Sequence, residues 1–374
     1  MKIYPRVSPL LTHFPADYVN NVAGWGCFDR NTIETNTGKL LSLDIDFGNV
    51  CTLNCPHCFR RQNKADSYNQ HELSYDEICQ LILEAKKLGL RSVKFLGAGD
   101  PFQSPKIINF LRFLHQNNVT PAIFTKGYVI GKDELVKHYF GVYGITTGEQ
   151  LCKELAKLQV SILLGFNSFK PTVQNHMVGD IQDYTTTRNR ALELLVQAGM
   201  NKYYPTHLAI GANPITNENY DEVLEIYKWG RVRNLYVVAC PTMVSGRCSD
   251  NSWRTITPSE DKLVDLYIKI YKFNLESGLQ TIRQIKSEEI AAYAGAHPCN
   301  QVACGMYITL NGTVLRCPGD DTTIFGNVRE KSLTEIWHSS ENYRRSGTFN
   351  CGCPPKVGKS IPSKLFERVM NNLL

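Results

Sequence analysis

The sequence predicts an α/β fold in which six strands alternate with helices and close, wholly or partly, into a barrel. Three observations carry that prediction. Short apolar runs recur at residues 40–47, 92–96, 121–125, 160–166, 207–211 and 235–240. The stretches between them place apolar residues at helical spacing, and strand–helix alternation of this kind builds a parallel sheet. Polar or glycine-rich stretches follow the runs at their C-terminal ends, where a β/α barrel carries its active site. From about residue 297 the pattern changes to a small hairpin-and-helix unit that holds five of the thirteen cysteines.

Residues 1–40, with Pro5, Pro9, Pro15 and a Gly24-Trp25-Gly26-Cys27 turn, read as an irregular extension on the main domain, Cys27 being a buried thiol. The first strand, from Leu40 to Phe47, ends at a cysteine loop. Ser74-Tyr-Asp-Glu77 is a capping box that opens a helix whose apolar stripe runs through Ile78, Ile82 and Ala85 to a stop at Gly89. The second strand, Ser92 to Leu96, leads into Gly97-Ala98-Gly99-Asp100-Pro101. A helix over Ile107–Gln116 precedes the third strand, Pro121 to Thr125. Residues 128–148, with Gly131, Gly141, Gly144 and Gly148, read as irregular, a lid or an insertion. Cys79 and Cys152 fall on helices as packing residues.

The fourth strand, Val160 to Phe166, ends in Asn167-Ser168, and a helix from Tyr184 stops at Gly199. His207 to Gly211 is the fifth strand. Asn219-Tyr-Asp-Glu222 caps a helix that ends at Gly230, and Leu235 to Cys240 is the sixth strand. Thr257-Pro258-Ser259-Glu260 reads as a capping box with proline at the first helical position, for a helix to about Ser277. The expected division is an extension over 1–40, a barrel over 41–245, connecting helices over 246–296 and a C-terminal unit with its tail over 297–374.

A chain of 374 residues that is 43% apolar is an ordinary globular sequence of one large domain or two smaller ones. Its net charge of +6 comes without a long basic run. That permits an anionic substrate and gives no argument for nucleic acid. Thirteen cysteines without a secretory signal read as metal ligands and buried thiols in a reducing compartment. No apolar run reaches membrane-spanning length, so the expectation is a cytoplasmic protein without membrane association.

The chemistry starts at Cys51-x3-Cys55-x2-Cys58. Three thiolates this close can hold three corners of a cubane iron–sulfur cluster and leave one iron open to a ligand. Zinc is the alternative, but it normally needs a fourth ligand that His57, adjacent to Cys58, is badly placed to supply. In Gly97 to Asp100, bare glycines let a ligand approach the backbone, and carbonyls with a carboxylate can hold an ammonium group. In the C-terminal unit the Asn311-Gly312 turn makes a hairpin whose arms bring Cys304 and Cys317 close. With Cys351 and Cys353 these thiolates can enclose a cluster or a zinc ion, and Cys299 stands in reserve.

These motifs resemble the radical S-adenosylmethionine superfamily, with residues 41–245 similar to its partial (β/α)6 TIM-like barrel. The resemblance implies a [4Fe–4S] cluster on Cys51, Cys55 and Cys58 whose open iron chelates S-adenosylmethionine, and cleavage to a 5′-deoxyadenosyl radical. Gly97, Ala98, Gly99 and Asp100 resemble the family's Gly-Gly-Glu motif, which binds the amine of S-adenosylmethionine, with Asp100 in place of glutamate. His57 occupies the aromatic position beside adenine. Asn167, Ser168 and Asn213 stand where the family binds ribose or the methionine carboxylate, although Gly165 replaces a commonly polar residue. Residues 299–355 resemble the twitch or SPASM-like domain, which implies a second, auxiliary [4Fe–4S] cluster on Cys304, Cys317, Cys351 and Cys353. The terminal spacing departs from the commoner Cys-x2-Cys.

By this resemblance the radical abstracts hydrogen from a small polar substrate of the sugar, aminocyclitol or nucleoside type, and an external donor such as flavodoxin or ferredoxin supplies the electron. Dehydrogenation follows if an electron and a proton leave, and epimerisation if a thiol returns a hydrogen. Cys240 and Cys248, at and just past the sixth strand, are the thiols in position for that. Residues 1–40 are too short for the separate peptide-recognition domain that many peptide-modifying relatives carry. A peptide- or RNA-modifying radical enzyme and a non-catalytic iron–sulfur or zinc redox sensor are the contrasting readings.

Overall fold

The computed structural model describes residues 1–15, 18–26, 28–60, 71–320, 322–349 and 352–373. Cys27 and Cys351 therefore lie outside the described residues. Six strands form a parallel array in chain order: β1 (Ser42–Ile45), β2 (Ser92–Phe95), β3 (Thr120–Thr125), β4 (Ser161–Gly165), β5 (Leu208–Ile215) and β6 (Tyr236–Pro241). The sheet does not close. It continues past β1 into β7 (Gly305–Ile308), β8 (Thr313–Leu315) and β9 (Ile324–Asn327), in the order β6-β5-β4-β3-β2-β1-β7-β8-β9. β7 runs parallel to β1, with Ser42 opposite Gly305 and Ile45 opposite Ile308. The predicted partial barrel and the C-terminal hairpin thus share one sheet.

The inner and outer faces of the sheet follow from strand alternation. Leu43, Ile45, Val93 and Phe95 point outward into the main core, where Phe47 and Phe110 stack with ring centroids 5.1 Å apart. The alternate residues, Asp44 on β1 and Lys94 on β2, point inward to a central cavity. The Ser74/Glu77 capping box forms and opens the helix Tyr75–Lys87. Cys79 and Cys152 are buried in helices as read from the sequence.

Several local expectations change. Residues 128–148 contain a regular helix, Asp133–Phe140, with acidic residues in its first turn and Val136 and Phe140 buried one turn apart. Its glycines lie at or beyond the ends, so they bound the helix without breaking it. The capping box expected at Thr257 does not form: the helix is Glu260–Glu276, with Ser259 at the cap position and no side-chain cap bond. Asn219 turns back to accept from the Thr216 amide at 2.8 Å and does not cap the helix Tyr220–Arg231. Among the described residues of 1–40 the chain is largely irregular, with one short helix, Arg30–Thr35. They strap the barrel through Ile3 N to Phe169 O and Leu11 N to Val232 O, at 2.8 and 2.6 Å. Among the described residues, no helix is long and apolar enough to cross a membrane.

The Asn311-Gly312 turn forms as expected, and β7 pairs antiparallel with β8, Tyr307 opposite Leu315 and Ile308 opposite Val314. Asn342, fully buried on the short helix Glu341–Arg344, ties both arms together. Its Nδ2 donates to Gly305 O at 2.7 Å and to Arg316 O at 2.9 Å. Asn342→Ala removes both bonds, one of them to the buried Gly305 carbonyl, so the urea midpoint should fall by the equivalent of about 1–3 kcal/mol. An unchanged midpoint would show that the hairpin does not need this brace.

Candidate active site

The loop from Asp46 to Arg60 leaves the C-terminal end of β1 and has no regular secondary structure. Its shape comes from its neighbours. The Gly99 and Asp100 amides donate to Gly48 O and Val50 O at 3.0 and 2.9 Å, and the Asn54 amide donates to Val178 O at 3.0 Å. From beyond β6, the Arg247 amide donates to Cys58 O at 3.0 Å, and the Arg247 guanidinium donates to Cys55 O at 2.7 Å. Leu53, Cys55, Val178 and Tyr184 form an apolar seat, against which Cys51 and Cys58 pack. All three cysteines line the central cavity.

Two glycines make these contacts possible. A Cβ on Gly99 would lie 2.2 Å from Val50 O, so only a glycine lets this turn lie flat on the cysteine loop. Gly246 has φ +57°, and a Cβ there would lie 2.5 Å from Cys58 O. Gly97, Ala98, Gly99 and Asp100 all line the cavity. The Asp100 carboxylate is already engaged within the protein, accepting from Thr125 Oγ1 at 2.8 Å, Phe102 N at 3.1 Å and Lys126 N at 3.2 Å. Burial raises its pKa against those bonds. The carboxylate holds the turn, and the turn forms part of the cavity wall.

His57 lines the cavity, and its buried Nε2 has no hydrogen-bond partner among the described residues. Burial, then the nearby Lys126 charge, pushes its pKa down to about 3, so the ring is neutral. Asn213 also lines the cavity. Asn167 and Ser168 do not. They are fully buried behind the wall, where their amides donate to Gln174 Oε1 at 2.7 and 3.1 Å and Ser168 Oγ donates to Glu222. Gly165 is bare because the Lys126 side chain crosses it, within 2.7 Å of where a Cβ would stand, and Lys126 takes the polar place on that wall.

A second set of thiols faces the same cavity: Cys299, Cys317 and Cys353. Cys304 is not among them. It packs with Ile33, Leu41, Phe28 and Phe349, and its thiol contacts Asn300 O at 3.2 Å. The backbone accounts for this: Cys304 closes the short helix Gln301–Cys304 just before β7, and its side chain packs against Ile33 and Leu41, away from the cavity. Cys299, the reserve residue, lines the cavity. Cys240 and Cys248 are buried and are not part of the cavity wall.

The same cavity carries buried polar groups that the sequence reading missed. Lys94 Nζ is 2.9 Å from Asp44 Oδ1, both residues buried, in an ion pair set off the line of a hydrogen bond. Lys94 also donates to Gln301 Oε1 at 3.1 Å. Burial raises the Asp44 pKa to about 6, with Lys94 pulling against it. Trp25, Phe124 and Tyr293 form apolar walls. Arg60 adds a second cation, held by Asp46 at 3.1 Å and lying over the Tyr307 ring. One signal was present in the sequence: Ser42, Asp44 and Asp46 alternate with Leu43, Ile45 and Phe47, a strand with a polar inner face. The cavity spans about 1620 Å³ with its open mouth included.

The model of the radical SAM superfamily matches residues 45–230, and that of SPASM, an iron–sulfur cluster-binding domain, matches residues 299–357. The chain belongs to the radical SAM superfamily. A curated relative, the tungsten-containing aldehyde ferredoxin oxidoreductase cofactor-modifying protein of Pyrococcus furiosus, is 25% identical over 331 residues, 82% of each chain. Among solved structures, anSMEcpe with bound AdoMet superposes with a TM-score of 0.56 at 14% identity, covering 82% of this chain and 79% of that one. Streptococcus suis SuiB bound to S-adenosylmethionine gives 0.55 at 17% identity, covering 88% and 78%. These likenesses show the fold.

A radical SAM enzyme with a SPASM domain uses a [4Fe–4S] cluster with S-adenosylmethionine and auxiliary iron–sulfur chemistry. The donor sets fit such groups. Each thiol set is soft and gathered on one cavity, and soft sulfur suits iron–sulfur. Burial raises the Cys55 and Cys317 thiol pKa values, so each is a neutral thiol until a metal displaces its proton. The orphaned His57 Nε2 and the bare Gly97–Gly99 backbone are what a polar, flat ligand beside the first set needs.

Gly246→Val should push the Arg247 clamp off the cysteine loop. After anaerobic reconstitution, iron should fall from about eight atoms per chain, two cubanes, to about four. Cys304→Ala should keep the full iron count, whereas Cys299→Ala should lose the auxiliary share. The reverse pattern would reinstate Cys304 as a ligand.

Proposed function

We propose that this radical SAM enzyme abstracts a hydrogen atom from a small polar substrate of the sugar, aminocyclitol or nucleoside type, with dehydrogenation as the outcome. The observation that carries the reading is the buried Asp44–Lys94–Gln301 set, which lines the same cavity as both thiol sets. A few convergent polar groups among aromatic walls are what orient a compact, hydroxyl-bearing ligand. The Pyrococcus furiosus relative is named for modifying a cofactor.

In this reading Cys51, Cys55 and Cys58 hold the radical-generating cluster, and Gly97 to Asp100, His57 and Asn213 hold S-adenosylmethionine. When bound, these groups supply a 5′-deoxyadenosyl radical and, at the second thiol set, an electron acceptor, with a flavodoxin or ferredoxin as the external donor. The chain's own residues do the rest. Lys94 and Gln301 fix the substrate oxygen. Asp44 takes the hydroxyl proton as the carbon loses its hydrogen, and Trp25 and Tyr293 keep water out. Dehydrogenation is favoured over epimerisation because Cys240 and Cys248, the thiols suited to returning a hydrogen, are buried away from the cavity wall.

The test is isotopic. The reduced, reconstituted enzyme is given S-adenosylmethionine and size fractions of a fully deuterated extract of the source organism. Deuterium should appear in 5′-deoxyadenosine with the small-molecule fraction. Transfer from the peptide or RNA fraction alone would overturn the substrate class. With the substrate in hand, Asp44→Asn should still cleave S-adenosylmethionine but lose at least tenfold in product. In the wild type, product formation should rise with pH through about 6, as the Asp44 carboxyl ionises and can take a proton. A product yield unchanged by Asp44→Asn would remove Asp44 from this role.

A further inference from the structure

Lys356 is fully buried, three residues past Cys353. Its ammonium donates to Cys240 Sγ at 2.6 Å and to Pro241 O at 3.0 Å, with the Tyr293 ring 5.2 Å away. Among the described residues no carboxylate forms an ion pair with it. A buried ammonium without an anion costs several kcal/mol, and a neutral thiol with one carbonyl does not offset that. Cys240 Sγ is the side-chain atom placed against this ammonium.

The backbone brings the sulfur atoms together. Residues 353–361 form a hook in which the Lys356 and Val357 amides both donate to Cys353 O at 2.9 Å. The hook docks on the end of β6: Lys356 grips Cys240 and Pro241, and Ser360 Oγ donates to Thr242 O. That docking sets Cys353 against the strand that carries Cys240. Cys299, Cys317 and Cys353 line one cavity, and the hook that carries Cys353 reaches Cys240, behind that wall, through Lys356.

We propose that Cys240, on a strand of the radical domain, is a ligand of the auxiliary cluster alongside Cys299, Cys317 and Cys353, and that Lys356 is the buried counter-charge of that site. The proposal rests on the auxiliary cluster occupying the second thiol set. It gives Cys240 a reason to be buried against an ammonium, which a hydrogen donor to substrate would not need. A cation fixed beside a cluster stabilises its more negative, reduced form, so Lys356 should hold the auxiliary potential up.

The experiment uses the full chain, reconstituted anaerobically, in a Cys51→Ala/Cys55→Ala/Cys58→Ala background that removes the first thiol set. About four irons should remain, with the spectrum of one reduced cubane. If that background binds no iron, the auxiliary assignment itself fails, which separates that failure from failure of the Cys240 proposal. Adding Cys240→Ala should abolish the remaining iron or convert the cubane to a three-iron species. Cys240→Ser, the conservative variant, should keep iron but shift the electron paramagnetic resonance of the reduced cluster. Lys356→Met should keep the iron and move the auxiliary midpoint potential to a more negative value, measured by redox titration without turnover. The proposal is overturned if Cys240→Ala and Cys240→Ser leave iron content and spectrum unchanged. An unchanged potential in an iron-replete Lys356→Met removes the counter-charge role.

Discussion

The cysteine loop has no secondary structure of its own, and the architecture around it supplies what is missing. Backbone carbonyls at Gly48, Val50, Asn54's neighbour Val178, Cys55 and Cys58 take part in bonds that tie the loop to the turn after β2, the segment before Tyr184 and the segment after β6. Those elements are far apart in sequence and meet only because the sheet curves. The loop's conformation is therefore a property of the barrel. The close approaches at Gly99 and Gly246 show how little slack the arrangement has, since each leaves less room than one methyl group needs.

The same sheet that carries the loop carries the second thiol set. Because β7 pairs with β1, the hairpin bearing Cys317 is an extension of the barrel and not a separate body hung from a linker. The distance between the two sets is thus fixed by strand pairing. The cavity they share inherits its polarity from strand alternation: the residues of β1 and β2 that cannot face the outer core are Asp44 and Lys94. A buried carboxylate and ammonium on adjacent strands stand 2.9 Å apart, and both line the cavity.

Much of this was legible in the chain. Six apolar runs marked six strands, the Ser74/Glu77 box marked the helix it caps, and the three-cysteine loop, the glycine turn and the Asn311-Gly312 hairpin are where they were expected. What failed did so for definable reasons. Cys304 and Cys317 were paired because a hairpin brings its arms close, but Cys304 ends the short helix Gln301–Cys304 and packs against Ile33 and Leu41. Asn167 and Ser168 follow a strand end, yet a buried partner, Glu222, draws Ser168 behind the wall. Thr257 and Asn219 have capping chemistry, but Pro258 stays outside one helix and Thr216 competes for the Asn219 side chain before the other. Lys356 carried no local signal at all, since its meaning depends on a hook docking more than a hundred residues away in sequence.

The central claim is that two thiol sets open on one chamber, with S-adenosylmethionine between the cysteine loop and the Gly97–Asp100 turn. The most direct measurement is a crystal structure of the anaerobically reconstituted enzyme with S-adenosylmethionine, recorded at the iron absorption edge. The account predicts two groups of anomalous iron density, one at Cys51, Cys55 and Cys58 and one at Cys299, Cys317 and Cys353. It also predicts the adenosyl 5′ carbon facing Asp44 and Lys94. A single iron site, iron bound at Cys304, or a 5′ carbon turned away from that pair would contradict it.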